Sequence, residues 1–157
     1  MNMRLILQPV LAICIGIVFL AGCGSESQTN ADVLVRTPLA SYRIGDTIRA
    51  DVTNLSGSAI YYICFGQVRL QLVKQGNVAA SWDVSAYEPC DRKTAILLGE
   101  SHTFTVPAER LDSVALDSRF ESGGEYRLLI DLYRDSACTV LLEKESDRMS
   151  NNFTVAQ

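Results

Sequence analysis

Four side chains in the sequence could carry thiol or metal chemistry. Cys64, Cys90 and Cys138 are three of the five cysteines, and His102 is the only histidine among the 157 residues. Together they form a possible Cys₃His zinc set, but structural zinc sites are usually built from cysteine pairs two to four residues apart. These cysteines stand 26 and 48 positions apart. We therefore expect no metal centre and no cofactor, and a half-buried strand position for His102.

The first 22 residues have the pattern of a secretory signal peptide. Arg4 supplies a positive start, and residues 10–20 form an apolar stretch without charge. A spanning helix needs about 20 apolar residues, so eleven are too few, whereas they suit the core of a signal sequence. The alternative is a buried helix of the folded domain. Gly16 and the lack of a polar face argue against it.

The end of this stretch, Leu20-Ala21-Gly22-Cys23, resembles the lipobox of bacterial lipoproteins. The resemblance implies diacylglycerol on the Cys23 thiol, cleavage before Cys23, and acylation of the new amino group, typically with palmitate. Because each buried CH₂ contributes about 0.8 kcal/mol, two or three acyl chains anchor a protein to a lipid bilayer stably. Gly24 in place of Asp is similar to outer-membrane lipoproteins. The expected location is the cell envelope, on the periplasmic or surface side of the outer membrane if the host is Gram-negative.

The remaining chain divides into a tether and a domain. We predict a lipidated cysteine and flexible tether over residues 23–32 and one domain over residues 33–157. Residues 24–30 are small and polar, with an average span of about 15 Å. Loss of residues 1–22 removes one positive charge, so the net charge changes from −4 to −5. An acidic domain without a Lys/Arg run suits neither nucleic acid nor anionic lipid. We therefore expect the acyl chains alone to contact the membrane.

The three domain cysteines favour one disulfide and one free thiol. Disulfides form in the oxidising compartments that exported proteins enter. The residues between Cys64 and Cys90 have the pattern of strand, turn, strand and loop, so the chain can bring the two cysteines back together. Closing that loop is worth about 3.5 kcal/mol in the chain-entropy treatment. We predict a Cys64–Cys90 bridge, with Cys138 free in a polar loop. A Cys90–Cys138 bridge is the alternative.

Alternating apolar and polar residues predict an all-β domain. Residues 47–53 and 101–106 alternate with a period of two, and Val68–Lys74 does the same. Further short segments, including residues 140–144, complete about seven to nine strands separated by turns. No apolar stripe of helical period persists for twelve residues, and residues 110–116 could form one helical turn at most. This pattern predicts an antiparallel β-sandwich.

Three longer segments resemble bacterial immunoglobulin-like domains. They are YRIGDTIRADVTNLSGSAIYY from Tyr42, LLGESHTFTV from Leu97, and GGEYRLLIDLY from Gly123. The same pattern is similar to the intracellular proteinase-inhibitor-like family of bacterial β-sandwiches. Gly124-Glu125-Tyr126 is similar to a tyrosine corner, whereas the inter-sheet disulfide of antibody domains is absent because Leu128 stands in its place. The resemblance implies an immunoglobulin-like fold and assigns no functional residue.

No catalytic motif is recognisable, so we do not expect an enzyme. The sequence lacks a G-x-S-x-G elbow, H-E-x-x-H, a phosphate-binding loop and EF-hand spacing. The segment most open to binding is residues 81–93, where Trp82, Tyr87 and Arg92 stand near Cys90. Aromatic residues and arginine are typical interface anchors. The alternative for Trp82 is a place in the core.

These observations predict a membrane-anchored envelope lipoprotein whose β-sandwich is a non-catalytic binding or assembly module. Its partners would be the bilayer, through acylated Cys23, and an unidentified envelope protein or polymer. The alternative function is a proteinase inhibitor that acts through an exposed loop near residues 81–93.

Overall fold

Short strands and turns make up most of the structure, a computed structural model that describes residues 32–63, 67–85 and 93–157. The all-β prediction is confirmed. The strands are β1 Val33–Arg36, β2 Ser41–Arg43, β3 Ile48–Asn54, β4 Ile60–Ile63, β5 Val68–Lys74, β6 Asn77–Asp83, β7 Lys93–Ile96, β8 Ser101–Val106, β9 Gly124–Ile130 and β10 Phe153–Ala156. One α-helix, α1 Ala108–Ala115, and one 3-10 turn, Glu145–Arg148, complete the regular elements of the described residues.

The strands form three sheets around a common core. One sheet has the order β1-β3-β8, a second has the order β2-β10-β9-β5-β6, and β4 pairs with β7. All pairings are antiparallel except that of β10 with β2. Buried residues from all three sheets belong to one apolar cluster. The architecture is therefore a β-sandwich.

The period of two in the sequence directs side chains to this core. In β3, Ile48, Ala50 and Val52 are buried, while the intervening residues are exposed or half-buried. Tyr62 is buried and Tyr61 is half-buried, as expected for neighbours on opposite faces of a strand. Alternation along single strands thus identified which residues fill the sandwich.

Asn54, at the end of β3, ties two turns together. Its side-chain amide donates to the carbonyls of Ser58 and Ile96, both at 2.8 Å. Its Oδ1 accepts from the backbone N–H of Ser56 at 2.9 Å. The Gly99 N–H in turn donates to the Asn54 carbonyl at 2.8 Å. Because Asn54 is fully buried, these bonds satisfy it and fix residues 55–58 beside residues 97–100.

The hydroxyl of Tyr126 makes the contacts expected of a tyrosine corner. It accepts from the Glu121 N–H at 2.9 Å and donates to the Glu121 carbonyl at 3.0 Å. Gly124 is required beside it, because an added Cβ would lie 2.9 Å from both the Glu121 carbonyl oxygen and Leu72 Cδ1. The wider immunoglobulin-like relationship stays a prediction.

The strand count and one strand position differ from the prediction. The described residues contain ten strands, because Ser41–Arg43 pairs with β10 although three residues are too short to show a period. Residues 140–144 do not form a strand. Leu141 makes only an isolated bridge to Tyr133, and the chain then enters the 3-10 turn Glu145–Arg148.

The helix is also longer than predicted. Residues 110–116 were expected to form one turn, but α1 spans eight residues, Ala108–Ala115. Two buried residues three positions apart, Leu111 and Val114, hold it on the core. A stripe of only two residues is too short to stand out in a sequence pattern. No helix within the described ranges is long and apolar enough to cross a membrane.

Candidate functional site

Several of the predicted site residues lie outside the described residues. These are the lipidation residue Cys23, the disulfide partners Cys64 and Cys90, and the loop residues Tyr87 and Arg92. Their roles therefore stay predictions. Trp82, His102 and Cys138 are described, and each can be placed.

Trp82 lies near the end of β6, half-buried against the core. Its indole N–H donates to Asp117 Oδ2 at 3.0 Å, and the Arg119 guanidinium carbon lies 5.4 Å from the ring centroid. The Arg119 guanidinium also donates two hydrogen bonds to the Asp117 carboxylate, from Nε to Oδ1 at 2.9 Å and from Nη2 to Oδ2 at 2.6 Å. The Arg119 and Trp82 hydrogen bonds hold the pKa of Asp117 well below its usual range. Trp82 therefore packs against the core with part of its ring and contacts Asp117 and Arg119 at the surface.

His102 has the half-buried strand position that was predicted. Its ring stacks on Tyr62 with centroids 4.4 Å apart, and its Nδ1 is hydrogen-bonded to the Tyr62 hydroxyl at 3.1 Å. Burial lowers the pKa of the imidazole. Within the described part of the chain, no group of three or more His, Cys, Asp and Glu side chains is placed to hold a metal ion.

Cys138 is buried and forms no disulfide with any residue of the described ranges. It lies in the turn that follows Asp135, with a backbone φ of 55°. Burial is the main cause that raises the pKa of this thiol, and Asp135 adds to it while Lys93 acts in the opposite direction. A protonated, buried thiol is a weak nucleophile.

A polar cleft of about 360 Å³ runs beside the start of β1. Here called the β1 cleft, it is lined by Asp32, Arg134 and Asp147, by residues 33, 56 and 58–60, and by residues 142–144. Four of its charged side chains form two ion pairs. Lys144 Nζ lies 3.2 Å from Asp32 Oδ2, and Arg134 Nη2 lies 3.0 Å from Glu143 Oε1.

Asp147 is the remaining charged residue of the β1 cleft. It is 5% exposed, and its Oδ1 has no hydrogen-bond partner among the described residues. Burial is the main cause that raises the pKa of its carboxyl, and nearby Lys144 lowers it in part. A second cleft of about 260 Å³ continues along β1 and shares Asp147 and Lys144. A buried carboxylate that lacks a counter-charge is costly unless a partner supplies one.

The 3-10 turn Glu145–Arg148 holds Asp147 in this position. The Asp147 N–H donates to the Lys144 carbonyl at 3.1 Å. On the next residue, Arg148 Nη1 lies 3.3 Å from Asp131 Oδ1, which also accepts from Arg69 Nη2 at 2.7 Å. This pair of arginines on one buried carboxylate anchors the turn to β5 and to the residue after β9. In the sequence, Glu145-Ser146-Asp147-Arg148 has no feature that separates Asp147 from an ordinary loop acid, so it was missed.

No protein-family model and no curated protein matches the chain. Among solved structures, similar regions occur in an alkylpurine DNA glycosylase from Pseudomonas fluorescens (8% identity, TM-score 0.40, 82% of this chain and 32% of that one). They also occur in a β-glucosidase from Listeria innocua (16%, 0.39, 82% and 16%) and in the sporulation control protein Spo0M from Bacillus subtilis (15%, 0.35, 80% and 49%). The match spans less than half the length of each of these proteins. At such TM-scores the similarities say nothing about function.

Proposed function

We propose that the chain is a membrane-anchored envelope lipoprotein whose immunoglobulin-like β-sandwich acts as a non-catalytic binding module. The lipobox-like Leu20-Ala21-Gly22-Cys23 supports the anchor. The predicted domain begins at residue 33, ten residues after Cys23, so the tether keeps it near the bilayer. The burial of Cys138 supports a non-catalytic role, since a buried thiol whose pKa is raised is a weak nucleophile.

The binding face in this proposal is the β1 cleft, and Asp147 is the observation that carries it. The other four charged side chains of the cleft are paired with each other, whereas Asp147 Oδ1 has no hydrogen-bond partner within the described ranges. The complementary group is a cation with hydrogen-bond donors, an ammonium or a guanidinium of an envelope protein or polymer. Such a group would compensate the desolvation of the carboxylate.

Site-specific crosslinking in the native envelope tests both parts of the proposal. A photo-reactive residue is placed at Ser58 in the cleft or, as a control, at exposed Thr105 on β8. We expect a discrete crosslinked partner from position 58 and none from position 105. Asp147→Asn should reduce the yield several-fold, and Cys23→Ser should release the protein from the membrane fraction.

Two outcomes contradict the proposal at different points. A parent protein that carries no acyl mass and is recovered as soluble material removes the anchor. Equal crosslinking from positions 58 and 105 removes the β1 cleft as the binding face. The proteinase-inhibitor alternative depends on a loop near residues 81–93, of which residues 86–92 lie outside the described residues. Intact protein that fails to inhibit a panel of serine proteases at micromolar concentration would eliminate it.

A further inference from the structure

Two turns at the start of the domain are joined to each other and to the tether. Residues 55–58 follow β3, and residues 97–100 connect β7 to β8. The Gly99 N–H donates to the Asn54 carbonyl at 2.8 Å, and the Leu55 N–H donates to the Asp32 carbonyl at 2.9 Å. The end of the tether and both turns therefore occupy one end of the sandwich, here called the tether end.

Three leucines of the tether end are exposed to solvent. Leu55 is 54% exposed, Leu97 is 52% exposed and Leu98 is 63% exposed. A single exposed leucine is ordinary on a protein surface, but apolar residues that gather on one rim mark a contact surface. These three lie on turns whose backbones are bonded together. Three of the eight large apolar side chains that are exposed in the described residues thus lie where the tether meets the domain.

The tether limits how far this surface can be from the bilayer. Eight residues separate Asp32 from Cys23, so even a fully extended tether reaches only about 30 Å. A short flexible linker gives an effective concentration in the millimolar range. Under that condition a contact too weak for a free domain is populated in the anchored protein.

We propose that the tether end docks on the lipid bilayer through Leu55, Leu97 and Leu98. This proposal rests on the proposed lipid anchor at Cys23. It also revises the expectation that the acyl chains alone contact the membrane. The local charges do not favour anionic lipid, because Asp32 is already paired with Lys144 and the Glu100 carboxylate accepts the Leu97 N–H at 3.0 Å. Docking therefore depends on apolar insertion at the headgroup boundary, and it is strongest on zwitterionic lipid.

Tryptophan fluorescence of the acylated full-length protein in phosphatidylcholine vesicles tests the docking. Leu98→Trp reports on the tether end. Leu39→Trp is the matched control, because Leu39 is 55% exposed and follows β1 at its opposite end. The parent protein supplies the signal of Trp82, the only natural tryptophan. We expect brominated acyl chains to reduce the added Leu98→Trp emission by roughly two-fold and to leave that of Leu39→Trp unchanged.

The acyl mass of Cys23, measured on the same samples, separates the two proposals. A protein that is acylated and floats with the vesicles, but shows equal or no quenching at positions 98 and 39, overturns the docking and leaves the anchor intact. A blue shift at position 98 without bromolipid quenching indicates contact between protein copies and also overturns the docking. An unacylated Cys23 overturns both proposals.

Discussion

Asp147 differs from the other charged residues of the β1 cleft because its buried carboxylate has an oxygen without a hydrogen-bond partner among the described residues. Four charged residues line the β1 cleft with it, and each is paired across a distance of 3.2 Å or less. Asp147 is buried, and its Oδ1 has no partner in the described part of the chain. Natural proteins accept such a cost at sites that bind something. This is the reason for placing the binding face here rather than at Trp82.

Asp147→Asn should stabilise the free protein near neutral pH. Burial raises the pKa of the folded-state carboxyl, so the folded state binds a proton more readily than the unfolded state does. The group therefore destabilises the fold above its raised pKa, and this penalty disappears as the pH falls through that pKa toward the unfolded value. We expect a higher unfolding midpoint for Asp147→Asn at pH 7 and no difference from the parent at pH 3.

Thermal unfolding followed by circular dichroism between pH 3 and pH 8 measures this effect. Asp46→Asn provides the control, because the Asp46 carboxylate accepts the Arg43 N–H at 2.7 Å in an exposed turn. Asn keeps a side-chain oxygen that can accept this bond, so Asp46→Asn should change the unfolding midpoint little. If Asp147→Asn is less stable than the parent at pH 7, Asp147 is a structural residue rather than an unsatisfied one.

At the scale of elements, the strands that are buried on alternate residues were predictable. Ser101–Val106 agrees with the sequence pattern, because its buried residues Phe104 and Val106 share one face. The bounds Val68–Lys74 also agree, although residues 70–73 of β5 are all buried. Elements that depend on distant partners were not predictable. Ser41–Arg43 becomes a strand only by pairing with β10, and α1 is stable only because Leu111 and Val114 reach the core.

The tyrosine corner at the start of β9 allows a prediction about how much it stabilises the fold. Tyr126→Phe removes the hydroxyl that bonds both backbone groups of Glu121, so it should lower the free energy of unfolding by about 1–2 kcal/mol. Gly124→Ala should cost about 1–3 kcal/mol, because its Cβ would press on the Glu121 carbonyl and on Leu72. Urea unfolding provides the measurement.

Gly57→Ala is the matched control for the glycine substitution. An added Cβ at Gly57 meets no atom within 4 Å, so the change should be neutral within about 0.5 kcal/mol. Equal effects at Gly57 and Gly124 would mean that the close approach at the corner does not limit stability.

At the scale of the whole molecule, the thiols give a prediction about the oxidised protein. If Cys64 and Cys90 are bridged, the mature acylated chain has one titratable thiol, that of Cys138. Because this thiol is buried and its pKa is raised, it should react slowly with a disulfide reagent in the folded state and rapidly after denaturation.

Thiol counting with and without denaturant, followed by peptide mapping, tests this prediction. Cys138→Ser should leave no reactive thiol under either condition. Label on Cys64 after denaturation, with Cys90 and Cys138 joined, would favour the alternative bridge. Three reactive thiols would exclude a disulfide.

The sequence alone was sufficient to predict the properties that depend on residues close together in the chain. The apolar stretch before Leu20-Ala21-Gly22-Cys23 predicts export and a lipid anchor, and alternating apolar residues identified the all-β class. The pair Gly124 and Tyr126 predicted the corner, because both residues act within a few positions of themselves. Only the tertiary structure brought together residues that are distant in the chain. Asp147 meets β1 across more than a hundred positions. The backbone bonds from Leu55 to Asp32 and from Gly99 to Asn54 also join segments that no local pattern brings together. Burial and pairing depend on these long-range contacts, so the candidate site and the leucine surface could be found only in the folded molecule.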